Sequence, residues 1–250
     1  MEHKLREVRA RKWFYEFELP DGSKTDCDIP DAVQGIHRSR RIKLHDVVDR
    51  YVPNATTLTA LDLASHEGFF SVELAKRFAH VRGLDYNLES IAAANLMAEV
   101  LAIDNIVYEH SDLTRQEYED RLMADFVLVY GLLYHLENPV HVIRLACALS
   151  RKHILIETQI FPYDIQGRIE DGHFTWQREV QGVFSLSIDY ADRREGGSTD
   201  IALVPSLNAL VFLLRNFGFS RIVVMDPIAN DYEQFSRGAR VVVYAAREDP

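Results

Sequence analysis

Residues 61–70 read LDLASHEGFF. They end a short apolar run, TLTALDLA at 57–64, and open FFSVELAKRFA at 69–79. In the second stretch Phe69, Val72 and Phe78 fall near one helical face, with Lys76 and Arg77 turned away. The pattern predicts strand, tight turn, helix. A phosphate-binding turn in such a place carries several glycines, or a Lys followed by Ser or Thr. This turn has one glycine, Gly68, with Ala64 and His66 at positions where others would stand. No GK[ST] occurs anywhere in the chain, and DLASHEG does not match G-x-G-x-x-G. A kinase, an NTPase or a conventional dehydrogenase is therefore disfavoured.

Working outward, strand-like and helix-like segments alternate. HVRGLDY (80–86), IVYEHSD (106–112), ADFVLVYGLLYH (124–135) and KHILIETQI (152–160) read as strands. The third contains a long apolar run, as expected of a central strand buried on both faces. NLESIAAANLMAEVLA (87–102), with Asn87 as N-cap, and NPVHVIRLACALS (138–150) read as helices, and TRQEYEDRLM (114–123) as a short polar one. Five such alternations predict an α/β fold, a Rossmann-like doubly wound sheet that is mainly parallel. PSLNALVFLLRNFGF (205–219) is helical in spacing, and RIVVMD (221–226) with RVVVYAARE (240–248) forms a closing antiparallel pair. Residues 161–204 lack a sustained period and read as an insertion after strand five. At the start, WFYEFELPDGSKTD (13–26) reads as strand, turn, strand, and IHRSRRIKLHDVVDRY (36–51) as a helix. Residues 1–52 are thus expected to cap the sheet, and residues 53–250 to form the main domain.

The 250 residues, 47% of them hydrophobic, suffice for one sizeable core. No apolar run approaches the ~18 residues of a membrane span. The basic N-terminus lacks the apolar segment of a secretory signal. Cys27 and Cys147 are too few for a disulfide scaffold and read as reduced thiols, so a cytoplasmic location is expected. The net charge of −10 argues against general nucleic-acid affinity. One basic cluster, HRSRRIKLHD at 37–46, reads either as a solvated helix face or as a contact for an anionic substrate.

Asp62, Asp85 and Asp112 fall at the ends of the first three strands. A carboxylate ending strand two can accept both hydroxyls of a ribose. One ending strand three can accept an exocyclic amine, and one ending strand one can orient an ammonium, directly or through water. Each Asp alone could equally be a helix N-cap. Three in succession favour a nucleoside carrying an amino acid.

LDLASHEGFFSVELAKR, GLDYNLESI and HSDL together resemble motifs I to III of the class I S-adenosylmethionine-dependent methyltransferases. VLVYGLLYHLENPVHVIRLACALSRKHILIET resembles motifs four and five, and VPSLNALVFLLRNFGF a later segment of the same superfamily. The Leu-Tyr-His-Leu-x-x-Pro pattern recurs in small-molecule methyltransferases and in the tRNA wobble-uridine carboxymethyltransferase. The resemblance spans roughly residues 57–160 and 205–225. It implies S-adenosylmethionine as cofactor, held by Asp62, Ala64, His66 and Gly68 of the loop, Asp85 and Tyr86, Asp112 and Leu113, and Tyr130. The loop departs from the family's glycines at Ala64 and His66.

His135, following strand four, is the candidate general base for a hydroxyl acceptor. Tyr134 and Glu157 are candidate acceptor contacts, with simple packing for Tyr134 and a structural hydrogen bond for Glu157 as the alternatives. His173, Trp176 and Tyr190 of the insertion are a candidate aromatic lid or a small core beneath it. His135, Glu137 and His141 lie close in sequence, but His141 belongs to the next helix, so no metal is assigned. The resulting expectation is a methyltransferase acting on oxygen or nitrogen of a small molecule, with no membrane or nucleic-acid partner; a homodimer is compatible with the sequence. A tRNA-modifying transferase and a non-catalytic cofactor-binding regulator are the alternatives.

Overall fold

The computed structural model describes residues 2–170, 177–190 and 199–248. Helices α1 (Glu2–Ala10) and α2 (Asp31–Tyr51) precede β1 (Thr59–Leu63), α3 (Phe69–Ala75), β2 (His80–Asp85), α4 (Leu88–Val100) and β3 (Ile106–His110). Then come β4 (Ala124–Tyr130), α5 (Pro139–Leu149) and β5 (Ser150–Gln159). Two hairpins follow, β6 (Gln166–Glu170) with β7 (Gln177–Gln181), and β8 (Phe184–Ile188) with β9 (Ile201–Pro205). The chain closes with α6 (Leu207–Asn216), β10 (Arg221–Val224), α7 (Glu233–Ser236) and β11 (Arg240–Ala246).

Seven strands form one sheet in the order β10-β11-β5-β4-β1-β2-β3. β1 to β5 run parallel to one another, and β11 is antiparallel to both β5 and β10. The direction of winding reverses between β1 and β4. That switch point opens a crevice at the strands' carboxyl ends, where ligands bind in folds of this kind.

Alternation along β4 explains its unbroken apolar run. Phe126 and Leu128 face a core built with α2, α3 and α4, while Val127 and Val129 face one built with α5 and α6. Both faces are covered, so each residue of the run is buried. The N-terminal residues share the first of these cores: Trp13, Tyr15, Phe17 and Leu19 are all buried in it.

Two local expectations are corrected. Residues 13–26 form no regular ladder. The turn at 20–22 is present, with Gly22 N donating to Leu19 O, but the only antiparallel bridge there is Glu18 to Lys24. The alternate aromatics insert side chains into the core, and isolated backbone bonds to the returning arm (Trp13 N to Asp26 O, Thr25 N to Phe17 O, Leu19 N to Ser23 O) join the two arms without a continuous ladder. Residues 114–123 form turns and one 3-10 turn at Asp120–Leu122 instead of a polar helix. Side chains there compete for local groups: Asp112 accepts from Thr114 N and Oγ1, and Gln116 bonds Ser111 and Glu119. A short helix with no apolar stripe has no packing to hold it.

No helix among the described residues is long and apolar enough to cross a membrane.

Candidate functional site: a cleft at the switch point

The cleft over the ends of β1, β2 and β4 is bordered by Ala64 and His66 of the first loop, by Asp85 to Asn87, and by Ser111 to Thr114. Tyr130 to Leu132 and Tyr134 to Leu136 close the opposite side, with Phe14, Tyr15 and Arg40 as a roof.

The loop takes the conformation that glycines would favour without having them. Ala64 and His66 hold φ of 61° and 51°, in the left-handed region. At Gly68 (φ 82°) an added Cβ would collide with the Tyr108 hydroxyl, so that glycine is needed for space as well as for backbone. Ser65 N donates to Leu84 O, and His66 N donates to Asp85 Oδ2 at 2.8 Å. The other Asp85 oxygen accepts Asn87 N at 2.8 Å. One carboxylate thus pins two cleft-lining loops, and burial pushes its pKa up.

Of the three strand-end carboxylates, Asp85 and Asp112 border the cleft. Asp62 sits one layer behind it, almost fully buried, and its Oδ2 accepts the Ser71 hydroxyl at 2.6 Å. Burial, with a smaller contribution from the Asp85 carboxylate, pushes its pKa up to about 7. Gly68 likewise shapes the loop from behind. Tyr86, Leu113 and Tyr130 border the cleft. Tyr86 is more than half exposed, and the Tyr130 hydroxyl donates to Arg40 O at 3.5 Å.

Glu67 was invisible as a functional residue in the sequence, yet it ties the loop to the N-terminal segment. Its carboxylate is buried, accepts Phe14 N at 2.8 Å and lies 3.6 Å from Arg11 Nη2. His66 follows suit: its ring packs edge-on against Phe14 and Tyr15 at 5.0 and 5.8 Å between centroids. Tyr15 stacks on Phe69 at 4.9 Å. The bulk of His66 is therefore used to seat a roof over the loop.

His135 ends a 3-10 turn, Leu133–His135, and its Nδ1 lies 2.9 Å from Asp189 Oδ2. The β8–β9 hairpin brings Asp189 there, docked through Leu203 N donating to Leu136 O. Sequence reading missed Asp189, since 54 residues separate it from His135 and only the tertiary docking joins them. Tyr134 lies against His135, with ring centroids 4.2 Å apart.

Glu157, expected to meet a substrate group, instead has both oxygens engaged inside the protein. Arg40 Nη2 lies 2.7 Å from Oε2, and Arg240 Nη1 donates to Oε1 at 2.8 Å. The two guanidiniums hold its carboxyl below the usual range against the opposing effect of burial. The basic cluster at 37–46 divides: Arg38 and Arg41 are exposed, as a solvated face would have them, whereas His37, Arg40 and Lys43 are buried and Lys43 pairs with Asp231 at 3.0 Å. Of the expected lid, His173 and Trp176 lie outside the described residues. Tyr190 follows Asp189, half exposed, and does not border the cleft. Among the described residues no group of three His, Cys, Asp or Glu side chains is placed to hold a metal.

The methyltransferase domain model matches residues 55–185. No curated protein sequence matches the chain. Among solved structures, the N-terminal domain of EvdMO1 with SAH bound has a TM-score of 0.74 at 20% identity, over 99% of this chain and 96% of that one. The chain spans 47% of the longer EvdMO1 structure. Magnesium protoporphyrin IX methyltransferase from Synechocystis PCC 6803 with bound SAH has a TM-score of 0.58 at 16% identity, over 99% and 94% of the chains. The N-methyltransferase NodS from Bradyrhizobium japonicum WM9, in complex with SAH, has a TM-score of 0.53 at 13% identity, over 86% and 88%. At these identities the likeness is one of fold. The family match over more than half of the chain, with the loop, the strand-end carboxylates and the sheet order, places the chain in the methyltransferase domain family, as a class I S-adenosylmethionine-dependent methyltransferase.

Proposed function

We propose that the switch-point cleft holds S-adenosylmethionine and that the enzyme moves its methyl group to oxygen or nitrogen of a small molecule. The observation that carries this reading is the His135–Asp189 pair at the edge of a cleft bordered by two strand-end carboxylates. When bound, the sulfonium supplies the electrophilic methyl, so the protein's work is alignment and proton removal.

The donor set fits such a guest. Each Asp85 oxygen takes one backbone N–H and keeps a lone pair for a ribose hydroxyl. Asp112 is partly exposed to the cleft and can accept the adenine amine, with Tyr86 and Leu113 flanking the ring. Ala64, His66 and Tyr130 would border the amino-acid end. Asp62 and Gly68 act from behind, by setting the loop.

Asp189 accepts from Nδ1–H of His135, which leaves Nε2 with its lone pair. Nε2 would take the proton of an acceptor hydroxyl as its oxygen bonds to the methyl carbon and the carbon–sulfur bond breaks, its electron pair leaving with SAH. An amine acceptor would attack as the neutral amine and give up its proton to Nε2 afterwards. His135 is the catalytic base in this scheme, Asp189 its positioning residue, and Tyr134 an acceptor contact. The EvdMO1 domain has also been crystallised in the presence of SAH and D-fucose, so sugar hydroxyls lead the acceptor panel, followed by phenols and amines. The burial of Arg40 and Lys43 and the net charge of −10 speak against RNA as acceptor.

The test is SAH release with that panel. His135→Ala should lower turnover by about 10²–10⁴-fold with SAH affinity unchanged. Asp189→Asn should lower kcat more than it raises the acceptor KM and should shift the pH profile. Wild-type turnover in His135→Ala would remove the base assignment.

A further inference from the structure

A second cavity, of about 470 Å³, lies beside the first and shares Phe14, Arg40 and Tyr134 as a common wall. Its other walls come from the Asp28–Pro30 stretch, the first turns of α2, and the stretch from Tyr232 to Arg240 that enters β11. That stretch is fastened to α2 by Lys43 with Asp231 and by Tyr232 N donating to Ser39 Oγ at 2.9 Å. The cavity is therefore a built space between two fixed elements.

Its lining divides into two parts. Phe14, Ile29, Val33 and Ile36 present apolar surface. Facing them, Arg40 and Arg240 share the single buried carboxylate of Glu157, so two cations meet one anion. Lys43 adds nothing to this excess because Asp231 neutralises it. Asp28, at the exposed rim, is the one carboxylate among the described lining residues. Charge in a desolvated setting is poorly screened, so one uncompensated positive charge there attracts an anion strongly.

Hydrogen-bonding capacity is left over at the same place. His37 is 7% exposed, and among the described residues neither of its ring nitrogens has a hydrogen-bond partner. Arg40 Nε is likewise without one. Burial, reinforced by the Arg40 guanidinium, holds His37 well below the usual imidazole range, so its ring is neutral and offers one donor and one acceptor. Buried polar groups are nearly always satisfied. These nitrogens belong to residues of the cavity wall but are covered rather than open to it, so a ligand's polar end reaches them only as the side chains turn toward the cavity.

We propose that this second cavity is a binding site for a small organic monocarboxylate with an apolar body. The carboxylate lies against Arg40, Arg240 and His37, and its body packs on Phe14, Ile29, Val33 and Ile36. One negative charge matches the one in excess, and the planar carboxylate suits the guanidinium fork. The site is separate from the methyl-donor cleft, so both fill at once.

The test is an NMR titration of the full chain with benzoate and its uncharged isostere benzamide, with and without saturating SAH. Benzoate should bind at least tenfold more tightly than benzamide, and equally well when SAH is present. Arg240→Gln should erase the preference for the charged ligand. Val33→Trp, on the exposed start of α2, should fill the cavity, leave the arginine–glutamate network untouched and remove benzoate binding. Failure of benzoate to bind, equal binding of the two probes, displacement by SAH, or full binding to folded Val33→Trp would each overturn the proposal.

Discussion

Ala64 and His66 show what a single side chain can conceal. The loop's backbone is left-handed at both, so the positions that glycine would fill keep glycine's geometry. A non-glycine residue in that region costs about 1–2 kcal/mol. Ala64→Gly should therefore raise unfolding free energy, by about 0.5–1 kcal/mol after the greater freedom of glycine in the unfolded chain is subtracted. Urea unfolding checks this, and a loss of stability would show that the strain is absent. Asp62 makes a second prediction. Its carboxyl titrates near 7 in the folded protein, above the ordinary 3.8. Between those values the native state binds the extra proton, so this group's contribution to stability falls as pH rises and is gone above about 7. Asp62→Asn, which can still accept from Ser71, should become steadily more stable relative to wild type from pH 4 to 7. A pH-independent difference would contradict the burial argument. At this scale the sequence was legible in position: Asp85 and Asp112, placed at strand ends, border the cleft. Glu157 was misread because a carboxylate at a strand end looks the same whether it meets a ligand or two arginines from distant segments.

Elements were legible wherever a period persists. Apart from the polar stretch 114–123 and the end of the fourth strand, which stops at Tyr130, the strands and helices between 57 and 160 stand close to their expected bounds, and β11 is antiparallel as foreseen. Legibility failed where contacts are tertiary. Glu67 has no period to betray it, yet it anchors the N-terminal segment to the cofactor loop through Phe14 N. Removing its carboxylate in Glu67→Ala leaves a part-buried N–H without an acceptor, which costs about 1–3 kcal/mol. Hydrogen exchange at the Phe14 amide should accelerate in that variant, and unchanged protection would disprove the clamp. The β8–β9 hairpin is the other case. Residues 161–204 carry no sustained pattern, and only its docking on Leu136 shows that Asp189 reaches His135.

Across the whole molecule, α2, β5 and β11 are locked by one buried ion network, Arg40–Glu157–Arg240. Arg40 of this network also stands, with Phe14 and Tyr134, in the wall that the two cavities share. Glu157→Ala strands two buried cations and should cost about 3–5 kcal/mol in urea unfolding. A cost under 1 kcal/mol would mean that water enters and screens the arginines. The network was illegible in sequence because its members lie 83 or more residues apart along the chain. The doubly wound, mainly parallel sheet was legible, since five strand–helix alternations leave few right-handed arrangements. The account as a whole rests on Asp85, at the switch point of that sheet. Calorimetry with S-adenosylhomocysteine on wild type and Asp85→Ala tests it most directly. The account predicts one site per chain in the wild type and at least tenfold weaker binding in the folded variant, whose ribose has lost its charged acceptor. No binding to the wild type, or equal affinity in folded Asp85→Ala, would contradict it.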